Sequence, residues 1–328
     1  MGRTVTIADA AALLRSRADL CELGMHDRAI ARAVAHGDLH RVRPGWYVWH
    51  SEWEHLWPEG RHLVHVLAVA RDARGAPAVN AGPSAAVLHG LPLYRLAPKR
   101  VELLIATPRH IHSSPDVLRH EGVLPPSDVT RVDGIPVTTL ERTVVDMARS
   151  VTLEAAVCVA DAALRKVAVR RNVQNEDLAA AWRDRMNGQL VQARGQRGIR
   201  QARWVVAFAD GRAHLPGEST SRVQLHRIGF RDLDLQVPVP ASGSGTYWLD
   251  FGLNDVDAFG EFDGMEKYTN AALRSNRTIE QVMLDEKRRE DWIRGTTGRR
   301  VLRWGDADAA TAAALATRLR AFGVTLPR

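Results

Sequence analysis

Two apolar runs, Tyr247-Trp248-Leu249-Asp250-Phe251 and Ala258-Phe259-Gly260-Glu261-Phe262-Asp263, flank Asn254-Asp255-Val256-Asp257. Their reading decides the C-terminal fold. The tetrad has turn composition, so the stretch predicts two antiparallel strands. With Asp255-Val256 as the loop, Asn254 pairs with Asp257, and counting outward sets Asp250 opposite Glu261. Directly opposed like charges destabilise a sheet. Leu249, Phe251, Phe259 and Phe262 nevertheless mark both as core strands. Strand period places Asp263 on the face of Glu261, with Phe262 turned the other way into a core.

Three carboxylates converging on one face need compensation, and a hard cation supplies it. Mg²⁺, with Mn²⁺ as a substitute, takes carboxylate oxygens together with water and substrate phosphate. Bound there, it could activate water and neutralise charge on a phosphodiester. The expected metal ligands are Asp250, Glu261 and Asp263. Glu218 could join from a helix, and Lys267 could orient or deprotonate the water or hold a phosphate. The alternative is a solvated outer face, and a one-residue slip in register would separate the acids.

Working outward, Glu218-Ser219-Thr220-Ser221-Arg222-Val223-Gln224-Leu225 predicts a helix with Glu218 in its first turn. A second helix is expected over 278–294, carrying the charged run Glu286-Lys287-Arg288-Arg289-Glu290-Asp291. Arg299-Arg300-Val301-Leu302-Arg303-Trp304 reads as a final strand. The charge run is either a solvated helix face or a place where Lys287 and Arg288 grip DNA beside the metal.

At the other end, residues 6–49 read as helix, helix, helix, hairpin. Thr6 caps a first helix reaching about Arg15. A short amphipathic helix runs from Asp27 to Ala35, with Ile30 and Val34 on one face. Gly37 stops it in the left-handed position, and Arg43-Pro44-Gly45 turns between two short strands. This order predicts a winged helix over 1–58. A helix in the major groove presents side chains to base edges, here His26, Arg28 and Arg32. Arg41 and Arg43 on the wing would meet phosphate. The bland alternative is a small helical domain with surface arginines. Residues 1–58 carry 7 basic and 7 acidic groups, which argues against nucleic acid.

Residues 59–150 read as a middle α/β domain. A helix covers Leu63 to Ala70, a strand covers Val101 to Ile105, and Thr138-Thr139-Leu140-Glu141 opens another helix as a capping box. His62 and His65 have i,i+3 spacing, but no cysteine or closing ligand pattern completes a zinc site. Residues 151–210 form a basic helical connector with 10 basic and 6 acidic groups. Arg194, Arg197, Arg200 and Arg203 recur every three residues, a stripe along a helix that Gly195 and Gly198 weaken.

The 328 residues suffice for two or three domains. Hydrophobic residues make up 45% and charged residues 25%, which excludes wholesale disorder. No apolar run is long enough to predict a spanning helix. Asp9 interrupts the first apolar stretch, so no secretory signal is expected. Met1-Gly2 with Thr6 fits the loose myristoylation pattern, with no other sign of a membrane. Cys21 and Cys158 form no disulfide framework, and a cytoplasmic location is expected. The net charge of +7 admits nucleic acid as a partner. Of the 45 basic residues 41 are Arg, a bias expected of GC-rich coding, so abundant Arg is not itself a sign of DNA contact.

Gly217-Glu218-Ser219, Leu249-Asp250-Phe251, Glu261-Phe262-Asp263-Gly264 and the run from Glu286 to Asp291 resemble the PD-(D/E)XK nuclease-like superfamily. The similarity is to the branch related to very-short-patch-repair endonucleases. It implies a mixed sheet flanked by helices over 211–328, with Asp250 and Glu261 as metal ligands and Glu218 as a supporting acid. The lysine usual two residues after the second acid is Asp263 here. Related branches also lack it, and some carry histidine where this chain has Lys267. Gly37-Asp38-Leu39, Gly45-Trp46-Tyr47 and Gly134-Ile135-Pro136-Val137 with Glu141-Arg142-Thr143-Val144-Val145-Asp146 resemble the N-terminal part of AbiE-type antitoxins. That resemblance implies winged-helix repressors of their own promoters, from abortive-infection toxin–antitoxin systems.

Three expectations follow. The first is a winged helix that targets a Mg²⁺-dependent DNA endonuclease. The second is a DNA-binding repressor or antitoxin whose nuclease fold is inactive, with a cognate toxin as a possible partner. The third is a docking protein that uses the middle domain. Double-stranded DNA is the expected partner of the first two, and a homodimer would suit a palindromic operator.

Overall fold

The computed structural model describes residues 5–73, 78–105, 113–264 and 279–327. It is a mixed α/β protein with several small sheets. Its residues fall into two compact units, 1–159 with 183–207, and 160–182 with 208–328.

The first unit opens with α1 (Ile7–Leu13), β1 (Arg15–Ser16), α2 (Arg17–Glu22), α3 (Asp27–His36), β2 (Leu39–Arg43) and β3 (Trp46–Trp49). Thr6 and Ser16 start α1 and α2 through capping boxes with Asp9 and Asp19. Each box satisfies N–H groups that a helix start leaves without partners. The first helix stops at Leu13, short of the expected Arg15. Arg15 and Ser16 instead pair with Tyr47 and Trp46, so the hairpin gains a third strand in the order β1-β3-β2. Gly37, at φ 83°, ends α3 in the left-handed conformation that lacks a steric cost only for glycine. Leu20, Ile30 and Leu39 form the core here, with Met25, Val34, Tyr47 and Trp49 packed around them.

The chain continues through α4 (His50–Trp53), α5 (Pro58–Asp72), β4 (Val79–Asn80), α6 (Gly82–Leu88), β5 (Val101–Ile105), β6 (Val117–Glu121), β7 (Val129–Val132), β8 (Ile135–Thr138) and α7 (Leu140–Ser150). The five strands lie in the order β6-β5-β4-β8-β7. Leu63, Val64, Val66, Leu67 and Ala68 are buried, so α5 is a core helix. Thr139 rather than Thr138 caps α7 by accepting the Arg142 N–H, so the expected box with Glu141 does not form, and Glu141 pairs with Arg185 at 2.8 Å instead. His62 is buried, with Nε2 3.0 Å from Ser84 Oγ. Burial, with a smaller push from His65, lowers its pKa to about 3. Among the described residues no three of His, Cys, Asp or Glu form a group that could hold a metal.

Beyond α7 come α8 (Leu153–Ala168), β9 (Val169–Arg170), β10 (Val173–Gln174), α9 (Glu176–Gln192) and α10 (Ile199–Phe208). The expected arginine stripe is not a helix face. Helix α9 ends at Gln192, and Gly195 and Gly198 have φ of 81° and 80°. Arg194 and Arg197 therefore lie between helices, and only Arg200 and Arg203 lie on α10. Gly198 is required twice over, because a Cβ there would stand 2.1 Å from the Arg149 carbonyl oxygen.

The second unit is completed by α11 (Pro216–Arg227), β11 (Leu233–Pro240), β12 (Thr246–Leu253), β13 (Ala258–Asp263), α12 (Ile279–Thr297), β14 (Arg300–Gly305) and α13 (Ala312–Ala321). The sheet order is β11-β12-β13-β14. The first two pairings are antiparallel and β13–β14 is parallel, so a crossover containing α12 joins the last two strands. Two apolar cores form. Leu225, Leu235, Phe251, Phe262, Leu302 and Trp304 belong to one, and Val239, Leu249, Phe259 and Ile293 to the other. Among the described residues no helix is long and apolar enough to cross a membrane.

Candidate functional sites

Helix α3 buries Ile30 and half-buries Ala33 and Val34, which turns Arg28, Ala31, Arg32 and Ala35 outward. This is the i, i+3, i+4, i+7 spacing of one helix face. His26 is the exposed residue before the helix, and its side chain makes no capping bond. Arg41 is exposed on β2. Among the described residues none of Arg28, Arg32 or Arg41 has an acidic partner. Arg43 is placed differently. Its guanidinium is largely buried and bridges Asp72 and Asp116, each at 3.0 Å. The pairing register shifts between Arg41 and Arg43. Such a bulge re-aims the side chains on either side of it.

The acidic residues of the second unit sit where two strands lose regularity together. Register pairs Leu253 with Ala258, Gly252 with Phe259 and Phe251 with Gly260. The same count would set Asp250 against Glu261. There the ladder stops, and the Asp250 carboxylate accepts the Phe262 N–H at 2.8 Å. On the other side, Leu235 pairs with Phe251 and Val237 with Leu249, while Gln236 between them leaves the ladder with φ at 52°. A side chain at positive φ is strained backbone, a cost that concentrates at functional positions. The turn also redistributes neighbours between the cores. Leu235 and Phe251 pack in one, and Val237 and Leu249 in the other.

Glu218 joins this irregularity from α11. It is buried, and its Oε2 accepts the His214 N–H at 2.9 Å and the Gln236 side-chain amide at 3.2 Å. The preceding residue lets the helix approach, since a Cβ on Gly217 would stand 2.1 Å from the Phe262 ring. Burial, and then the charge of Arg165, lower the pKa of His214 to about 4.

Glu261 is buried between two guanidinium groups. Arg289 donates to Oε1 at 2.5 Å, and Arg303 lies 2.9 Å from Oε2. Arg303 is also bonded to Glu286 and lies 3.7 Å from Glu290 and 3.9 Å from Asp263. Arg289 reaches Glu286 at 3.1 Å and donates to the Trp248 carbonyl. Burial works against the charge of both arginines, but their hydrogen bonds and acidic neighbours outweigh it and raise both pKa values. Burial likewise works against the Glu286 carboxylate, and the same two arginines overcome it and lower its pKa.

These placements test the fit of a divalent ion. A hard cation needs carboxylate oxygens with lone pairs directed at it. Both Glu261 oxygens face guanidinium groups, Asp250 Oδ2 holds a backbone N–H, and Glu218 Oε2 holds two donors. The residues as placed do not fit Mg²⁺ or Mn²⁺ at Glu261. Lys267 lies outside the described residues. Lys287 and Arg288 are exposed on α12, with Arg288 3.9 Å from Asp285. Arg289, Arg303 and Gln236 were not singled out from the sequence. Arg289 stands three residues after Glu286, and Arg303 lies inside an alternating strand, signals that gain meaning only beside Glu261. Nothing in the sequence marks Gln236.

No family model matches the chain. Two curated proteins of Mycobacterium tuberculosis, uncharacterized protein Rv2248 of strain H37Rv and uncharacterized protein MT2308 of strain CDC 1551, are each 30% identical to it over 173 residues. The match covers 49% of this chain and 59% of each relative. The chain therefore spans less than two thirds of the length of these relatives.

Proposed function

We propose that this protein is a DNA-binding regulator of the repressor or antitoxin kind, with a nuclease-like C-terminal unit that does not cleave. The observation that carries the reading is the exposed cationic face of α3, Arg28 and Arg32, with Arg41 exposed on β2 of the hairpin that follows, all three lacking acidic partners among the described residues. In a winged helix, α3 is the element that enters the major groove and the hairpin meets phosphate. The order α2, α3, β2, β3 with β1 on the sheet suits that assignment. A palindromic operator would engage a homodimer, and the antitoxin resemblance implies a cognate toxin. The test is a band shift on the DNA upstream of the protein's own gene, across a salt series. Specific binding that Arg28→Ala and Arg32→Ala weaken supports the reading. Binding that is indifferent to both substitutions, or absent, sinks it.

A second reading, a metal-dependent endonuclease, is favoured by one observation. Gln236 is strained where it meets Glu218, level with the point at which the β12–β13 ladder stops short of Asp250. Plasmid nicking with Mg²⁺ or Mn²⁺ that disappears in Asp250→Ala would establish it.

A further inference from the structure

Glu261 and Arg303 are partners in the register of the parallel pair β13–β14, so their contact is built into the ladder. The carboxylate has an arginine on each oxygen, and both arginine side chains are largely buried, at 19% and 23% exposure. Arg289 comes from α12, lies over the Tyr247 ring and donates to the Trp248 carbonyl on β12. Glu286, also on α12, binds both arginines. One carboxylate thus ties β12, β13, β14 and α12 through two cations. A guanidinium is planar, weakly hydrated and matched to a carboxylate, and it supplies at Glu261 the positive charge that a metal would otherwise bring.

We propose that the Arg289–Glu261–Arg303 clamp stands in for a divalent cation, so that Glu261 is a structural counter-ion fastening α12 to the sheet and takes up no metal. Asp263, Glu286 and Glu290 complete the charge balance around Arg303. The inference rests on the reading of a silent nuclease-like unit, and its two deciding readouts, the unfolding midpoint and Mn²⁺ uptake, involve no DNA.

The first measurement is the unfolding midpoint of the full chain in EDTA, for wild type and Glu261→Gln. In a metal site lacking its ion, removing one of several crowded carboxylates relieves repulsion, and the midpoint holds or rises. In the clamp, the same change leaves two buried guanidinium groups short of their counter-ion, and the midpoint falls by roughly 5 °C or more. The second measurement needs no variant to fold, namely Mn²⁺ uptake by the wild-type chain, followed by electron paramagnetic resonance. No saturable uptake is expected. Arg289→Gln with Arg303→Gln is expected to create saturable uptake that Asp250→Asn removes. A midpoint that holds or rises in Glu261→Gln overturns the clamp. So does stoichiometric wild-type Mn²⁺ uptake that is lost in Asp250→Asn. Such Asp250-dependent uptake in a chain that nicks no plasmid would refute the clamp and leave the regulator reading standing.

Discussion

Arg28, Arg32 and Arg41 in the first unit and Arg289 and Arg303 in the second are one side chain in opposite electrical surroundings. The first three are exposed and have no ion-pair partner among the described residues. The other two are largely buried and share Glu261 and Glu286. An arginine without a counter-ion keeps its charge available for phosphate, while one with a buried carboxylate spends it on the fold. Arg43 shows how narrow the division is. It lies two residues from Arg41 on the same strand, yet Asp72 and Asp116 hold it. In the proposed reading, partnership, rather than residue type or position along the chain, separates the two roles.

The sharpest way to break that comparison is to leave a buried charge alone. Arg222 and Asp161 form a pair at 2.7 Å, with Asp161 1% exposed and also accepting the Asp210 N–H. Arg222→Ala is expected to cost about 3–5 kcal/mol, read from urea unfolding, because it strands the carboxylate. A loss below about 1 kcal/mol, the range of exposed pairs, would mean that burial does not separate the two classes of arginine.

Acid provides a second test in the first unit. Above the ordinary histidine value of 6.5 both folded and unfolded chains carry a neutral His62. Below it the unfolded chain takes up a proton that the folded chain refuses until about pH 3. Stability should therefore fall as pH drops from 6.5 towards 3, by up to about 1.4 kcal/mol per pH unit from this group. His62→Gln should flatten the profile in that window, and an unchanged slope would show that His62 is not the group responsible.

On the open side, Arg28→Ala and Arg32→Ala should each cost DNA affinity by about 1–3 kcal/mol if they contact base edges. Stability should move by no more than about 0.5 kcal/mol. Arg41→Ala should instead weaken all sequences alike and reduce the salt slope by about 1, the signature of a phosphate contact. Arg43→Ala should do the reverse, lowering stability more than affinity.

The smallest effect is expected at Arg288, whose pair with Asp285 is exposed at 72% and 51%. Arg288→Ala should change stability by about 0–1 kcal/mol. A clear loss of DNA affinity in Arg288→Ala or Lys287→Ala would extend the proposed nucleic-acid surface to the second unit.

Much of the local structure was legible because local chemistry sets it. Thr6 caps α1 and Gly37 ends α3, each through a bond or backbone angle within four residues, while the cap of α7 falls on Thr139, one residue past the expected Thr138. The hairpin count placed Phe251 opposite Gly260 as expected, because a short loop leaves little choice of register. At 194–203 the three-residue spacing of arginines suggests one helix face, which the structure does not form. Gly195 and Gly198, at left-handed angles, divide the segment, and this local backbone preference overrides the periodicity. At the acidic site, sequence placed Asp250, Glu261 and Glu218 near one another but gave no view of their partners. Arg303 lies 42 positions beyond Glu261, with α12 between them.

By itself the sequence determined the Thr6 start of α1, the Gly37 stop of α3, the strand pair around Asn254–Asp257 and the outward face of α3. Those depend on neighbours within a few residues, where spacing and backbone preference act directly. Only the tertiary structure decided that Arg43 is held by Asp72 and Asp116, that Gln236 leaves the ladder beside Asp250, and that Glu261 faces two arginines instead of an open site. Charge compensation depends on distance in space and on burial. The order of residues along the chain fixes neither until the sheet has closed.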